Sequence, residues 1–142
     1  MSGQRPAIAL GYAAFVQLRH HPYEQYVSAR LGGGEVSRQV VRHALRRTEL
    51  SWPAVLAADP AAFAWRVLGE TVALAPLPRY PGADSLHRTL PVRAADAVIL
   101  HERLGMPAGR AAELMGLTEP ELHVQLRLAR RLLAERRRYA TP

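Results

Sequence analysis

The chain has 142 residues, 49% of them hydrophobic, and a formal net charge of +7. That length suits one domain or two very small ones, and that apolar content excludes a globally disordered chain. Cysteine is absent, which excludes disulfides, thiolate metal sites and a cysteine nucleophile, and fits a cytoplasmic setting. All 19 basic residues are arginine, and neither lysine nor asparagine occurs. This is the usage expected of a GC-rich genome, so arginine in place of lysine carries little chemical information. The charge excess itself favours a polyanionic partner.

No run reaches the roughly 18 apolar residues of a membrane span, so no membrane partner is expected. AIALGYAAFV near the start imitates the apolar segment of a secretory signal. QLRHHP follows it, where small cleavage-site residues belong, so a core helix is expected instead.

Residues 1–5 are expected to fray. Residues 7–20 read as a helix with Ala13, Ala14, Phe15 and Leu18 as its apolar side. Pro22 should break that helix and open a second, in which Tyr23, Tyr26 and Val27 recur at helical spacing. Gly32, Gly33 and Gly34 end it. From Glu35 to Glu49, the residues Val36, Val40, Val41, Ala44 and Leu45 form an apolar stripe, with arginines opposite. Ser51 and Pro53 start a short helix through Leu56. Asp59 caps the next, with Pro60 at its first position and Phe63, Val67 and Leu68 on one face, to about Leu74.

Pro76 to Asp84 (PLPRYPGAD) holds three prolines and a glycine and reads as a linker. Beyond it, Val92, Ala95, Val98 and Ile99 mark a supporting helix ending at Gly105. Pro107 starts another, with Ala108, Ala111, Ala112 and Met115 inward, and Gly116 permits a turn. Thr118 caps the last helix and Glu121 completes a capping box, T-x-x-E. Leu122, Leu126, Ala129 and Leu133 form its inward stripe. No stretch alternates with period two for long enough to be a strand. The expected class is all-α, two small helical domains over 1–75 and 90–142 with a Pro-rich linker at 76–89, the C-terminal one a helix-turn-helix.

Two helices flanking a tight glycine turn, with polar residues at the start of the second and arginines along it, make a pattern suited to DNA. Arg127, Arg130 and Arg131, with residues 136–138 beyond, can neutralise phosphates.

Residues 90–133 resemble the fourth region of the bacterial sigma-70 family, especially its extracytoplasmic-function group, whose pattern is LPxRxRxVLxLRxxxGLSxxEIAxxLGISxGTVKSRLxRARRxL. The frame is held without gaps by Leu90-Pro91, Arg93, Gly105-Met106, Ala111-Ala112, residues 114–119 (LMGLTE), Leu122, Leu126 and Ala129-Arg130-Arg131. Upstream, residues 13–31, 39–47 and 59–72 resemble the second sigma region. The resemblance implies a transcription regulator that meets DNA through residues 118–131. Thr118 caps the recognition helix, Glu121, His123, Val124 and Gln125 face the groove, and Arg110, Arg127, Arg130 and Arg131 hold the backbone. It also implies core RNA polymerase, or an anti-sigma or other regulatory protein, as a partner of Gln39, Arg42, His43 and Arg46. The family's polymerase-facing stripe is acidic, whereas these residues are basic or neutral, and Glu70 stands where the family has an asparagine. The alternative reading is therefore a divergent sigma-like protein that acts through protein–protein contacts without promoter recognition.

Catalysis is not expected. His101-Glu102 begins an HExxH, but Gly105 occupies the second ligand position. The triple glycine is followed by no GK[ST], and no serine has a nucleophile-elbow context. Neither a cofactor nor a metal is expected.

Overall fold

The computed structural model describes residues 4–78 and 82–140, with side chains from residue 11 onward. The fold is all-α; among the described residues there is no strand. Two compact units divide the chain, Met1–Arg79 and Tyr80–Pro142. The fraying expected at 1–5 falls partly outside the described residues, and Gln4 and Arg5 already belong to the first helix.

The first unit contains α1 (Gln4–Leu31), α2 (Glu35–Leu50), α3 (Trp52–Leu56) and α4 (Pro60–Leu74). Pro22 does not break α1, which runs through it as one helix of 28 residues. An interior proline forfeits one backbone hydrogen bond and costs about 3 kcal/mol. The carbonyl it leaves unbonded belongs to Leu18, a residue 69% exposed, where solvent can reach it. Downstream, Tyr23, Tyr26 and Val27 are buried in register with Phe15, and each contributes about 1.5–3 kcal/mol, so packing on both sides of Pro22 outweighs the local cost. The inward side also differs from expectation. Ala13, Ala14 and Leu18 are exposed, and the buried row is Phe15, Tyr23, Tyr26 and Arg30, with Tyr12 and Arg19 half-buried along it.

Aromatic rings hold this unit together. Tyr12 and Phe15 pack on Trp52 of α3, and Tyr23 and Tyr26 pack on Trp65 of α4, with ring centroids 4.5–5.8 Å apart. The Tyr12 hydroxyl donates to the Leu45 carbonyl at 2.7 Å, tying α1 to α2. Arg30 donates to the Tyr26 hydroxyl at 3.1 Å. Gly32 and Gly34 take positive φ at the α1–α2 turn, and the Ser37 hydroxyl donates to the Gly32 carbonyl. Asp59 caps α4 by accepting from the Ala61 and Ala62 amides. Val36, expected inward, is 49% exposed, while Val40, Val41, Ala44 and Leu45 are buried.

The second unit contains α5 (Ser85–Thr89), α6 (Val92–Ala97), α7 (Ala108–Met115) and α8 (Glu119–Ala140). Its core is built largely from small side chains: Ala83, Ala94, Ala95, Ala97, Ala111, Ala112 and Ala129 are all buried. Leu86, Leu90, Leu100, Leu122 and Leu126 fill the spaces between them.

Residues 82–89, expected as linker, are folded into this unit, while residues 79–81 of that linker lie outside the described residues. Ala83, Leu86 and Leu90 are buried. The His87 ring sits between Asp96 of α6, 2.7 Å from Nε2, and Asp84, 3.3 Å from Nδ1. Asp84 is the one non-glycine residue with positive φ among those described, at 54°. The apolar signal here is two leucines four apart, too short to outweigh the neighbouring prolines in the sequence.

After Ala97 the supporting helix widens into a π turn, Val98–Arg103. The Leu104 amide reaches back to Ile99 O at 2.9 Å and the Met106 amide to Leu100 O at 3.0 Å. His101 Nδ1 lies 2.8 Å from the Met106 carbonyl, so its N–H donates there and closes the turn that contains Gly105. Val92, expected inward, is exposed. Among the described residues no helix is long and apolar enough to cross a membrane.

Candidate nucleic-acid interface

The candidate interface is built on the α7–α8 turn. Gly116 takes a left-handed conformation, φ 73°, that costs other residues energy. The Leu117 amide donates to Ala112 O at 2.8 Å and the Gly116 amide to Glu113 O at 3.2 Å. These two bonds satisfy the last carbonyls of α7 in a Schellman closure. Thr118 follows at once and starts α8. Its hydroxyl accepts from the Glu121 amide at 3.3 Å, and Glu121 Oε1 accepts from the Thr118 amide at 3.1 Å and hydroxyl at 2.8 Å. The capping box is therefore closed from both sides. Those hydrogen bonds, with the nearby Arg93 guanidinium, hold the Glu121 carboxyl below the usual carboxylate range.

Leu122, Leu126 and Ala129 bury one side of α8 against α6 and α7, while Leu133 is only half-buried. A repeat of 3.6 residues then puts Pro120, Val124, Arg127 and Arg131 on the opposite side, and all four are exposed. Val124 is 52% exposed, an uncovered aliphatic side chain between polar neighbours. Gln125 stands beside it, half-buried, and its amide makes no hydrogen bond among the described residues.

On one flank the polar side chains already have neighbours within the unit. His123 Nε2 is 3.6 Å from Glu119. Arg130 donates through Nε and Nη2 to Glu102 Oε1 at 3.2 and 3.1 Å. Glu102 comes from the π turn, 28 residues earlier, so nothing local in the sequence pairs it with Arg130. By contrast Arg93, Arg110, Arg127 and Arg131 enter no ion pair among the described residues. Arg93 was not singled out from the sequence as a contact residue; its closeness to Glu121 places it beside the start of α8.

The second predicted cluster lies on α2, and the structure splits it. Gln39 and His43 line an open groove between α2 and α4 with Val36, Val40, Arg47, Glu70 and Leu74. Arg42 and Arg46 project on a neighbouring side of the helix. One carboxylate gathers most of the polar groups at the start of α2: Glu35 accepts from Arg42 at 2.8 Å, Arg38 at 3.0 Å and Gln39 at 3.5 Å. These donors, Arg38 foremost, hold its carboxyl below the ordinary range. Arg47 bridges to α4, reaching Glu70 at 3.1 Å and the Thr71 hydroxyl at 3.2 Å. Glu70 is thus committed to Arg47 within the unit.

Among the described residues, no group of three or more histidine, aspartate or glutamate side chains is placed to hold a metal ion. No protein-family model matches the chain, and no curated protein and no solved structure matches it either.

Proposed function

We propose that the chain is a sigma-factor-like, DNA-binding transcription regulator of the cytoplasm and carries no enzymatic activity. The observation that supports this reading best is the outward side of α8. Arg127 and Arg131 stand free on it, one and two turns beyond an exposed polar start that a capping box and a Schellman turn hold in place. Such a helix fits the major groove, with its first turns at the base edges and its arginines at the phosphates. The resemblance of residues 90–133 to the fourth sigma region supports the same reading. Core RNA polymerase and an anti-sigma or other regulatory protein are the protein partners it implies.

Fluorescence anisotropy of the chain with duplex DNA across a salt series tests the reading. Binding whose logarithm falls linearly with the logarithm of salt concentration, with a slope of several units, is expected. Weak binding with a slope near zero would exclude DNA as the partner.

A second reading is favoured by the α2–α4 groove. Its apolar members Val36 and Leu74 are exposed, and its cation Arg47 is already paired. Here the chain acts through a protein partner without promoter recognition. Association with purified core polymerase, measured beside promoter-dependent transcription, separates the readings. Binding without transcription supports the second.

A further inference from the structure

The outward side of α8 discriminates among base pairs by what it lacks as well as by what it presents. The first two turns read EPELHVQL and contain no arginine; the first arginine is Arg127. Guanine is commonly read by a bidentate Arg or Lys on O6 and N7; the first two turns of α8 carry no such donor, and Arg93, which comes near from α6, is set against the Glu121 carboxylate. Cytosine is read by a carboxylate that accepts from its amino group. Glu121 is the carboxylate in position, and its Oε1 is held by the Thr118 amide and hydroxyl. Glu119 and His123 stand 3.6 Å apart on the flank of α8, beside the outward row and not on it.

Two side chains remain uncommitted. Val124 is exposed at the centre of the outward side, and Gln125 follows with a free amide. An aliphatic group is the natural contact for the thymine methyl, and a primary amide pairs with adenine N6 and N7. Successive helix residues rise by about 1.5 Å, less than the roughly 3.4 Å between base pairs, so both fall on the same pair or on neighbours. Arg127 and Arg131 continue the row toward the phosphates.

Resting on the DNA-binding reading above, we infer that α8 recognises A·T base pairs in the major groove, with Val124 against a thymine methyl and Gln125 on an adjacent adenine, while Glu121 reads no base. Val124 is exposed, and Gln125 is half-buried with no hydrogen bond among the described residues, so circular dichroism of each variant establishes that the unit stays folded before binding is compared.

The test begins with the full chain and a pool of randomised duplexes, the bound fraction being sequenced. Enrichment of adjacent A·T pairs is expected. In the best duplex, replacing the contacted thymine by deoxyuridine removes one methyl group and lowers affinity about threefold to fourfold. Val124→Ala, which keeps a single methyl, reduces that methyl dependence. Gln125→Ala loses roughly tenfold in affinity and accepts any base at the adenine position. Glu121→Gln keeps the capping box and leaves every base preference unchanged. Salt-dependent binding with G·C enrichment, or with uracil and thymine equivalent, overturns the A·T assignment and leaves the DNA-binding reading standing. A vanishing salt slope on mixed-sequence DNA overturns both.

Discussion

Three arginines of α2 are paired within their unit, whereas the two on the outward side of α8 are not. On α2, Arg38 and Arg42 are tied to Glu35, and Arg47 is tied to Glu70. On the outward side of α8, Arg127 and Arg131 have no acidic partner among the described residues. The net charge of +7 therefore says little about where a polyanion would meet the chain. An exposed ion pair is worth at most about 1 kcal/mol to stability, but it occupies a cation that a phosphate would otherwise take. The cores contrast as well. The first unit packs large aromatic rings, and the second packs mainly alanines and leucines.

The largest test of this contrast is Trp65→Ala. Trp65 is 8% exposed and touches both Tyr23 and Tyr26, so its loss should cost the first unit about 3–5 kcal/mol in denaturant unfolding. DNA affinity of the folded protein should be unchanged; a parallel loss would show that the first unit contributes to binding. The paired substitution Arg127→Ala, Arg131→Ala should lower the salt slope of DNA binding by about 2, at roughly 0.9 per phosphate contact. The same exchange at Arg38 and Arg42 should leave the slope where it was. Equal effects at the two places would erase the distinction between free and paired cations.

Removing the cap by Thr118→Ala should cost about 1 kcal/mol in the second unit, seen in thermal or denaturant unfolding. The Glu121 side of that box carries a pH signature. Its carboxyl is depressed in the folded chain, so its contribution is present above the unfolded value of about 4.3 and is lost as pH falls through the lower folded value. An acid titration of unfolding should show this component in the wild type and a smaller one in Thr118→Ala, which loses the hydroxyl but keeps the backbone amide and Arg93 beside Glu121. The smallest expected effect is a gain. Glu102→Gln weakens the hold on Arg130 and should raise DNA affinity by up to about fivefold, with a slope steeper by nearly one. Unchanged affinity would show that Arg130 lies away from the phosphates.

Much of the local architecture was legible in residue order. Asp59 before Pro60 announced α4, and Thr118 with Glu121 announced α8, because a cap needs only groups two or three positions apart. Leu122, Leu126 and Ala129 showed the inward side of α8 by spacing alone. Where the reading failed, a distant partner decided the outcome. Pro22 stays helical because Tyr23 and Tyr26 reach Trp65 of α4. Residues 85–89 fold because His87 meets Asp96 and Leu86 is buried. Val92 and Val36 fit an apolar period yet stand exposed, since periodicity defines a stripe but not how much of it a neighbour covers.

For the candidate interface the division is sharper. Residue order alone settles that α8 is a capped helix following a glycine turn, with an apolar row on one side and arginines on the other. Those features depend on backbone hydrogen bonds and side-chain spacing within about one turn. Only the tertiary structure settles which polar groups are still available. Glu102 claims Arg130 across 28 residues, Arg93 comes to Glu121 from another helix, and Val124 and Gln125 are left uncommitted. Ion pairs and burial are set by which surfaces meet in space, and spacing along the chain does not encode them.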